Sequence, residues 1–348
     1  MKILLTGSHG YIGAVTGRVL VDAGHDVTGL DSYLYAGCDL GPDDPAHAAI
    51  PKDVRDVDAG ELGCYDAIVH LAALSNDPIG ELSPDLTRAI NLDATVRLAQ
   101  SAKEAGVGRF VFASSCSMYG ASDTEELVDE EAPLKPLTAY AESKVRAEEA
   151  LAELADDDFS PVFMRNATAY GVSPRLRLDI VLNNLSAWGV TTGAIKIMSD
   201  GTPWRPLVHV EDISLATLAL LEAPRDVVHA EPFNVGGSDE NYQVRELAEL
   251  VREAVGDCTV EYAGSGDPDP RSYRVSFAKL ARALPDLELT WTARRGAREV
   301  VDALRVHDVT LDVFESDRFI RLRRIDTLLG RGDLDGSLRP AAYPVAGR

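Results

Sequence analysis

Short apolar runs alternate with helix-period stretches along the first half of this chain. Met1 to Thr6, with Ile3-Leu4-Leu5 at its centre, reads as a buried parallel strand because both of its faces are apolar. Asp26-Val27-Thr28-Gly29-Leu30 is a second run, ending at Asp31. Ala67 to Ala73, Arg109 to Ala113 and Pro161-Val162-Phe163-Met164 continue the series. Between them, Thr87 to Ala105 carries apolar positions at helical spacing (Ile90, Ala94, Leu98), with Asn91 on the same side. Strand–helix–strand repetition predicts an α/β fold with a doubly wound parallel sheet. In such a sheet ligands bind beyond the carboxyl ends of the strands. Gly7, Asp31, Ala72 and Ser115 all fall at such ends.

Three glycines follow the first run at spacings of three, within Thr6-Gly7-Ser8-His9-Gly10-Tyr11-Ile12-Gly13. A strand, a tight glycine turn and a helix starting near Tyr11 aim backbone N–H groups at a pyrophosphate. Gly13 lets that helix pack close to the sheet. The general dinucleotide fingerprint has its first two glycines two apart, so on the glycines alone a plain turn is an alternative. Asp31 adds weight to the nucleotide reading. It stands eighteen residues past Gly13, where an acid accepts hydrogen bonds from a ribose 2′-hydroxyl. The same acid repels a 2′-phosphate, and no Arg or Lys lies between Asp31 and Lys52 to neutralise one. NAD is therefore expected over NADP. The plainer alternative is a carboxylate that caps the next turn.

The motifs, taken in order, resemble the extended short-chain dehydrogenases/reductases of the NAD-dependent epimerase/dehydratase group, which mostly act on nucleotide sugars. The resemblance rests on Gly7-x-x-Gly10-x-x-Gly13, Asp31, Asp53-Val54-Arg55-Asp56, His70-Leu71-Ala72-Ala73, Asn91, Ser114-Ser115 before Met118-Tyr119-Gly120, and Tyr140-x-x-x-Lys144. Arg165 with Tyr170-Gly171, Asn184-Leu185, Asp200-Gly201 and His209-Val210-Glu211-Asp212 extend it to about residue 290. It implies a Rossmann-type lobe and a smaller C-terminal α/β substrate lobe. It further implies cofactor contacts from Gly7, His9, Gly10, Tyr11, Ile12 and Gly13, with Asp53 and Val54 beside the adenine. Leu71, Ala72 and Ala73 would lie near the pyrophosphate or nicotinamide ribose, and Asn91 toward the nicotinamide. The plainer readings are a turn for Asp53, packing for the alanines and a helix hydrogen bond for Asn91.

The catalytic set implied by the resemblance is Ser115, Tyr140 and Lys144, and it agrees with the chemistry of these residues. Tyrosine is a poor base at its ordinary pKa of about 10. A nearby cation favours the phenolate, and Lys144, one turn on, shares a helix face with Tyr140. Tyr140 is expected to take a proton from a substrate hydroxyl as its carbon gives hydride to NAD. Ser115 is expected to hold the same oxygen. In isolation such a Tyr and Lys read as a solvated helix face; the nucleotide-binding half before them decides.

After Gly171 the composition shifts toward Arg, Trp and turn residues, and the substrate is expected there. The resemblance implies that Asn184 supports a nucleotide diphosphate. Arg205 and Arg271 are candidates for pairing with it, since a guanidinium meets phosphate in bidentate fashion. Arg274 rivals Arg271, and each arginine is equally readable as a solvated side chain. Ser75 and Asn76 are candidates for touching the sugar, or part of a turn through Pro78. Dehydratases of the group carry Asp-Glu after the serine and decarboxylases a Glu, where this chain has Cys116 and Ser117. Neither is a good acid for expelling a hydroxyl. Cys116 is either a thiol proton donor or a small buried side chain. The group's usual sugar-contacting Asn is Thr168 here.

The chain carries 56 acidic against 34 basic residues, a net charge of −22. Such a surface repels a dianion unless the pocket is locally basic. It also argues against nucleic acid and anionic membranes as partners. A length of 348 residues and 45% hydrophobic content fit a globular α/β core with a second lobe. No apolar run reaches 18 residues, so no membrane span is expected. Cys38, Cys64, Cys116 and Cys258 show no C-x-x-C spacing and the histidines no ligand cluster, so neither a metal site nor a disulfide framework is expected. With no room for a signal peptide before the first strand, the expected location is cytoplasmic. His70 is expected to pack at a strand end and His209 to support Arg205. Arg318 to Arg324 alternates apolar and basic residues and has no assigned role beyond covering part of the substrate lobe.

The expected cofactor lobe is 1–170 plus 207–235, the substrate lobe 171–206 plus 236–330, and 331–348 a flexible tail. The resemblance implies a homodimer through the helices near Thr87–Ala105 and Thr138–Ala155. The expected function is nucleotide-sugar epimerisation through a transient 4-keto sugar, with hydride passing to bound NAD and back. The alternatives are a nucleotide-sugar dehydratase using Cys116, a 4-keto reductase and, in another class, a catalytically idle NAD-binding sensor or scaffold.

Overall fold

The computed structural model describes residues 1–42, 45–75, 77–121, 126–237, 239–262 and 271–343. Its strands are β1 (Lys2–Thr6), β2 (Asp26–Asp31), β3 (Ala49–Pro51), β4 (Ala67–His70), β5 (Arg109–Ser115), β6 (Ser160–Asn166), β7 (Thr168–Tyr170), β8 (Ala194–Ile197), β9 (Trp204–His209), β10 (Pro232–Val235), β11 (Asn241–Gln243) and β12 (Thr259–Tyr262). The longer helices are α1 (Tyr11–Asp22), α2 (Ala94–Glu104), α3 (Ala139–Leu154), α4 (Val181–Thr192), α5 (Val210–Glu222), α6 (Val244–Val255), α7 (Ala293–Val306) and α8 (Arg321–Arg331).

One parallel sheet runs in the order β3-β2-β1-β4-β5-β6-β10, the doubly wound arrangement expected. The order reverses between β1 and β4, which opens a crevice at their carboxyl ends. Ile3 and Leu5 of β1, Val69 of β4, Val111 of β5 and Val162 of β6 join one core with Ile213 and Leu220 of α5. The intervening Leu4, Ile68, Phe110, Phe112 and Phe163 join the opposite core with Leu98 of α2 and Leu151 of α3. Helices cover both faces, so the strands read as unbroken apolar runs.

Two elements near the crevice differ from expectation. β4 stops at His70, short of Ala73. The Thr95 hydroxyl donates to the Asn91 carbonyl at 2.9 Å, so its oxygen accepts from His70 Nε2 at 2.8 Å. Nδ1 then accepts from the Thr6 hydroxyl at 2.7 Å. Burial pushes this imidazole down to about 3, and the neutral ring ties β1 to β4 at the switch point. The helix expected from Thr87 to Ala105 is interrupted by a π-turn over Arg88–Asp93 before α2, a feature often found at functional sites.

In the second half, β9 pairs in parallel with β7 and antiparallel with β11, and β8 pairs with β12. Helices α4, α6 and α7 pack Leu182, Leu247 and Val300 into a further core. The chain then returns to the first lobe. Ile325 of α8, Leu334 and Leu338 are buried with Leu74 and Ile90. Residues up to 343 are therefore not the free tail expected. Arg55 donates to the Ser337 carbonyl at 2.9 Å, and Arg339 pairs with Asp56 at 2.5 Å. Two leucines among polar residues carry no periodicity that could announce this docking. Residues 344–348 lie outside the described residues. Among the described residues, no helix is long and apolar enough to cross a membrane.

Candidate active site

A cleft of about 610 Å³ opens at the carboxyl ends of β1, β2, β4 and β5, and the second lobe lines its other side. Gly7 leaves β1 with φ +73°, and a Cβ there would lie 2.7 Å from the Ala72 nitrogen. A Cβ at Gly13 would collide with the Gly7 carbonyl. Helix α1 starts from Gly10 with no side-chain cap among the described residues and no acidic residue in its first turn. Glycines let the backbone pack this closely, and the turn leaves an uncapped helix N-terminus facing the cleft, which fits the pyrophosphate of NAD. Gly7, Gly10, Tyr11, Ile12 and Gly13 all line the cleft.

His9 does not join that lining, contrary to expectation. Its N–H is held by Asp31 at 2.9 Å and its ring packs on Tyr33 at 4.3 Å between centroids. Asp31 also accepts from the Tyr33 N–H at 2.7 Å. Each of its oxygens keeps a second lone pair, enough for ribose hydroxyls. Burial raises the Asp31 pKa against these two backbone bonds. Asp53 and Val54 line the cleft, with Asp53 paired to Arg55 at 2.6 and 2.9 Å. Leu71, Ala72 and Ala73 line it as well. Asn91 does not: it is fully buried, and its amide bonds the N–H and carbonyl of Leu74 at 2.8 and 3.1 Å. Its role is to fix the loop that leaves β4.

Helix α3 begins where Thr138 accepts the Ala141 N–H at 3.1 Å. Alanines and the Glu142–Arg146 pair favour the helix. Its inward face carries Tyr140, Lys144 and Glu148. Tyr140 is half-buried at the cleft wall, which it lines together with Ser115, the last residue of β5. Ser115 Oγ accepts from the Ser117 N–H at 3.2 Å and lies 2.9 Å from Ser117 Oγ. The buried Lys144 ammonium donates to the Ala113 carbonyl at 2.7 Å and sits 5.8 Å from the centre of the Tyr140 ring. Burial pushes Tyr140 up, against Ser115 and Arg177. The phenol therefore keeps its proton until further positive charge arrives beside it.

Burial pushes Lys144 down to about 7, against the pull of Glu148. With the folded value below the ordinary 10.5, the burden of burying this charge is full below about pH 7 and gone by about pH 10.5. Lys144→Met is expected to gain stability relative to wild type most at about pH 6, with the difference shrinking toward about pH 10. Urea denaturation across that range measures it, and a flat difference rejects a depressed Lys144.

Ser75, Ser117, Thr168, Asn184, Arg205 and Arg271 also border the cleft. The Asn184 amide donates to the Leu178 carbonyl at 2.8 Å, and Arg205 donates to the Arg271 carbonyl, so β9 and the segment at 271 converge. Arg274 instead lies over the Trp204 ring at 4.7 Å. Cys116, expected to touch the substrate, instead lies fully buried in the β-sheet core, outside the lining, with its thiol donating to the Arg165 carbonyl at 3.0 Å. Burial raises its pKa well above the ordinary range, which leaves no exposed acid at 116. His209 does not support Arg205; it accepts the Glu211 N–H at the start of α5, pairs with Glu299 at 2.9 Å and stacks on Trp291. Asn76 lies outside the described residues.

Sequence reading missed Arg177 and Arg321, both of which line the cleft. Arg177 pairs with Asp179 at 2.8 Å and donates to the Ser75 carbonyl at 3.0 Å. Its signal was the Arg175-Leu176-Arg177 spacing after Pro174, which puts two guanidiniums at alternate positions of one loop. Arg321 belongs to the stretch left without a role.

The model of the NAD dependent epimerase/dehydratase family matches residues 3–236. The UDP-glucose 4-epimerase of Corynebacterium glutamicum is 29% identical over 308 residues, 84% of this chain and 91% of that protein. That of Mycolicibacterium smegmatis is 31% identical over 274 residues, 74% of this chain and 83% of that protein. Among solved structures, MoeE5 in complex with UDP-glucuronic acid and NAD has a TM-score of 0.76 at 27% identity, covering 88% of this chain and 99% of that one. The NAD-dependent NDP-hexosamine 5,6-dehydratase TunA shares the fold, with a TM-score of 0.77 at 24% identity, over 88% and 98%. The chain belongs to the NAD dependent epimerase/dehydratase family, with NAD as its cofactor.

Proposed function

We propose that this protein is a nucleotide-sugar 4-epimerase. The observation that carries the reading is that Ser115 and Tyr140, with the Lys144 ammonium 5.8 Å from the Tyr140 ring centre, share the wall of a cleft that starts at the glycine turn. NAD supplies hydride acceptance and return at one sugar carbon. Ser115 and Tyr140 converge on the hydroxyl oxygen of that carbon. Tyr140 takes the hydroxyl proton as the ketone forms and gives it back when the ketone is reduced from the opposite face. Lys144 keeps positive charge beside the phenolate, and the Ala113 carbonyl fixes its position.

Thr168 and Ser117 offer hydroxyls to the sugar, with Ser75 at the same wall. Asn184, Arg205 and Arg271 serve the diphosphate, and make the pocket basic inside a chain of net charge −22. The relatives at 29% and 31% identity are UDP-glucose 4-epimerases, and MoeE5 binds UDP-glucuronic acid, so a UDP-hexose or UDP-uronate is the first substrate to try. The burial of Cys116 and the hydroxyl at Ser117 favour epimerisation over expulsion of water. A homodimer through α2 and α3 is part of this reading, on the family resemblance alone.

The test is incubation with UDP-, dTDP-, GDP- and CDP-sugars in D₂O, with products separated and weighed. An equal-mass epimer without carbon-bound deuterium is expected, because the hydride that leaves is the one that returns. A product lighter by water replaces the reading with dehydration. Bound NAD with no sugar bound or changed replaces it with an idle sensor.

A further inference from the structure

Arg321, in the first turn of α8, is 2% exposed, yet it borders the cleft. Its Nη2 donates to the Arg175 carbonyl at 2.8 Å, and its guanidinium lies 4.4 Å from the centre of the Tyr35 ring. Nη1 is buried with no partner among the described residues. Asp179 stands beside it, but that carboxylate is engaged by Arg177 through both oxygens, at 2.8 and 3.2 Å. Asp179 takes only the backbone N–H of Arg321, at 3.3 Å. Burial and the charge of Arg177 hold the Arg321 pKa below its ordinary value. A buried guanidinium beside a second one, with no carboxylate pairing to its side chain among the described residues, is costly unless an anion completes the site.

The surroundings say which anion. Arg175 donates from Nε to the His9 carbonyl in the glycine turn at 3.2 Å. Arg177 donates to the Ser75 carbonyl on the loop leaving β4 at 3.0 Å. The loop that carries Arg175 and Arg177 is thus tied to both sides of the β1/β4 switch point, where the uncapped N-terminus of α1 borders the same cleft. Arg205, by contrast, belongs to β9 in the second lobe and is tied to Arg271. One cleft carries two arginine groups, as two diphosphates would need. Ile325 packs α8 against Leu74 and Ile90, which holds Arg321 in place.

We infer that α8 closes the NAD site: Arg321, with Arg177, holds the pyrophosphate of the bound dinucleotide. The segment that contributes Arg321 lies beyond the family-matched residues 3–236. The inference rests on the family's NAD site and not on the epimerase reaction.

Calorimetric titration of full-length wild type, Arg321→Gln and Arg321→Lys with NAD, ADP-ribose, adenosine and UDP tests it. Arg321→Gln is expected to weaken NAD and ADP-ribose by roughly tenfold or more, the worth of a charge-assisted hydrogen bond to phosphate. Adenosine and UDP are expected to bind as in wild type. Arg321→Lys keeps the charge without the fork and is expected to retain part of the affinity. Ligand-free Arg321→Gln is expected to melt at or above the wild-type temperature, because an uncompensated buried cation is gone. That separates a lost contact from a lost fold. Unchanged NAD affinity in Arg321→Gln overturns the inference. So does a loss confined to UDP, which would give Arg321 to the substrate's diphosphate. If no nucleotide sugar is turned over, the NAD titrations still read, so the two readings fail separately.

Discussion

Replacing Tyr140 with phenylalanine is expected to lower turnover by about 10²–10⁴-fold, the usual worth of a positioned acid–base group, and to leave NAD affinity nearly unchanged. The substitution removes one oxygen and keeps the ring that packs at the cleft wall. No neighbour can replace that oxygen. Ser115 is a hydroxyl engaged with Ser117, and Lys144 is engaged with the Ala113 carbonyl. The glycine turn at Gly7 and Gly13, where NAD phosphate is expected, belongs to other elements, so cofactor binding is expected to persist. Steady-state turnover beside an NAD titration separates the two quantities. Wild-type turnover in Tyr140→Phe would sink the mechanism. Loss of NAD affinity to the same degree as turnover would recast Tyr140 as a binding residue.

Glu148→Gln is expected to cost about 3–5 kcal/mol of stability, because it strands a buried cation. Arg165 of β6 and Glu148 of α3 are both buried, and their groups meet at 2.7, 3.1 and 3.2 Å. The remaining Arg165 nitrogen donates to the Glu130 carbonyl at 3.0 Å and to the Tyr119 hydroxyl at 3.2 Å. Glutamine keeps the shape and removes the charge, so the guanidinium stays desolvated without compensation. Glu148 lies one turn beyond Lys144 on α3, and the pair clamps that helix to the sheet. Loss of the clamp is therefore expected to reach Lys144, whose ammonium also loses the pull of Glu148. Urea denaturation measures the loss. The double variant Glu148→Gln with Arg165→Met is expected to recover most of it, since an apolar side chain fills the volume without a charge to bury. A single-variant loss below about 1 kcal/mol would show that water reaches the pair.

Much of the nucleotide half was legible because its signals are local. Gly7 and Gly13 are demanded by a turn within seven residues of sequence, and Tyr140 and Lys144 share a face through helix geometry alone. Cys116 was legible in part. A small buried side chain was one of its two readings, but its direction is set by a 3₁₀ turn over Cys116–Tyr119 that follows β5, with Cys116 in the core and Ser117 lining the cleft. Asn91 was misread because its helix position was clear but its partner was not. The Leu74 loop it holds is seventeen residues away, and a π-turn sets its direction.

By itself, the sequence determined the doubly wound sheet, the glycine turn ahead of the first helix, and the shared helix face of Tyr140 and Lys144. Each follows from short-range periods of backbone geometry and the residue types those periods place together. Only the tertiary structure decided that Arg177 meets Ser75, that Arg321 reaches the carbonyl of Arg175 across 146 residues, and that Leu334 and Leu338 seal the loop at Leu74. These contacts join segments far apart in the chain through burial and charge. Such pairings repeat at no period, so they exist only once the lobes have packed.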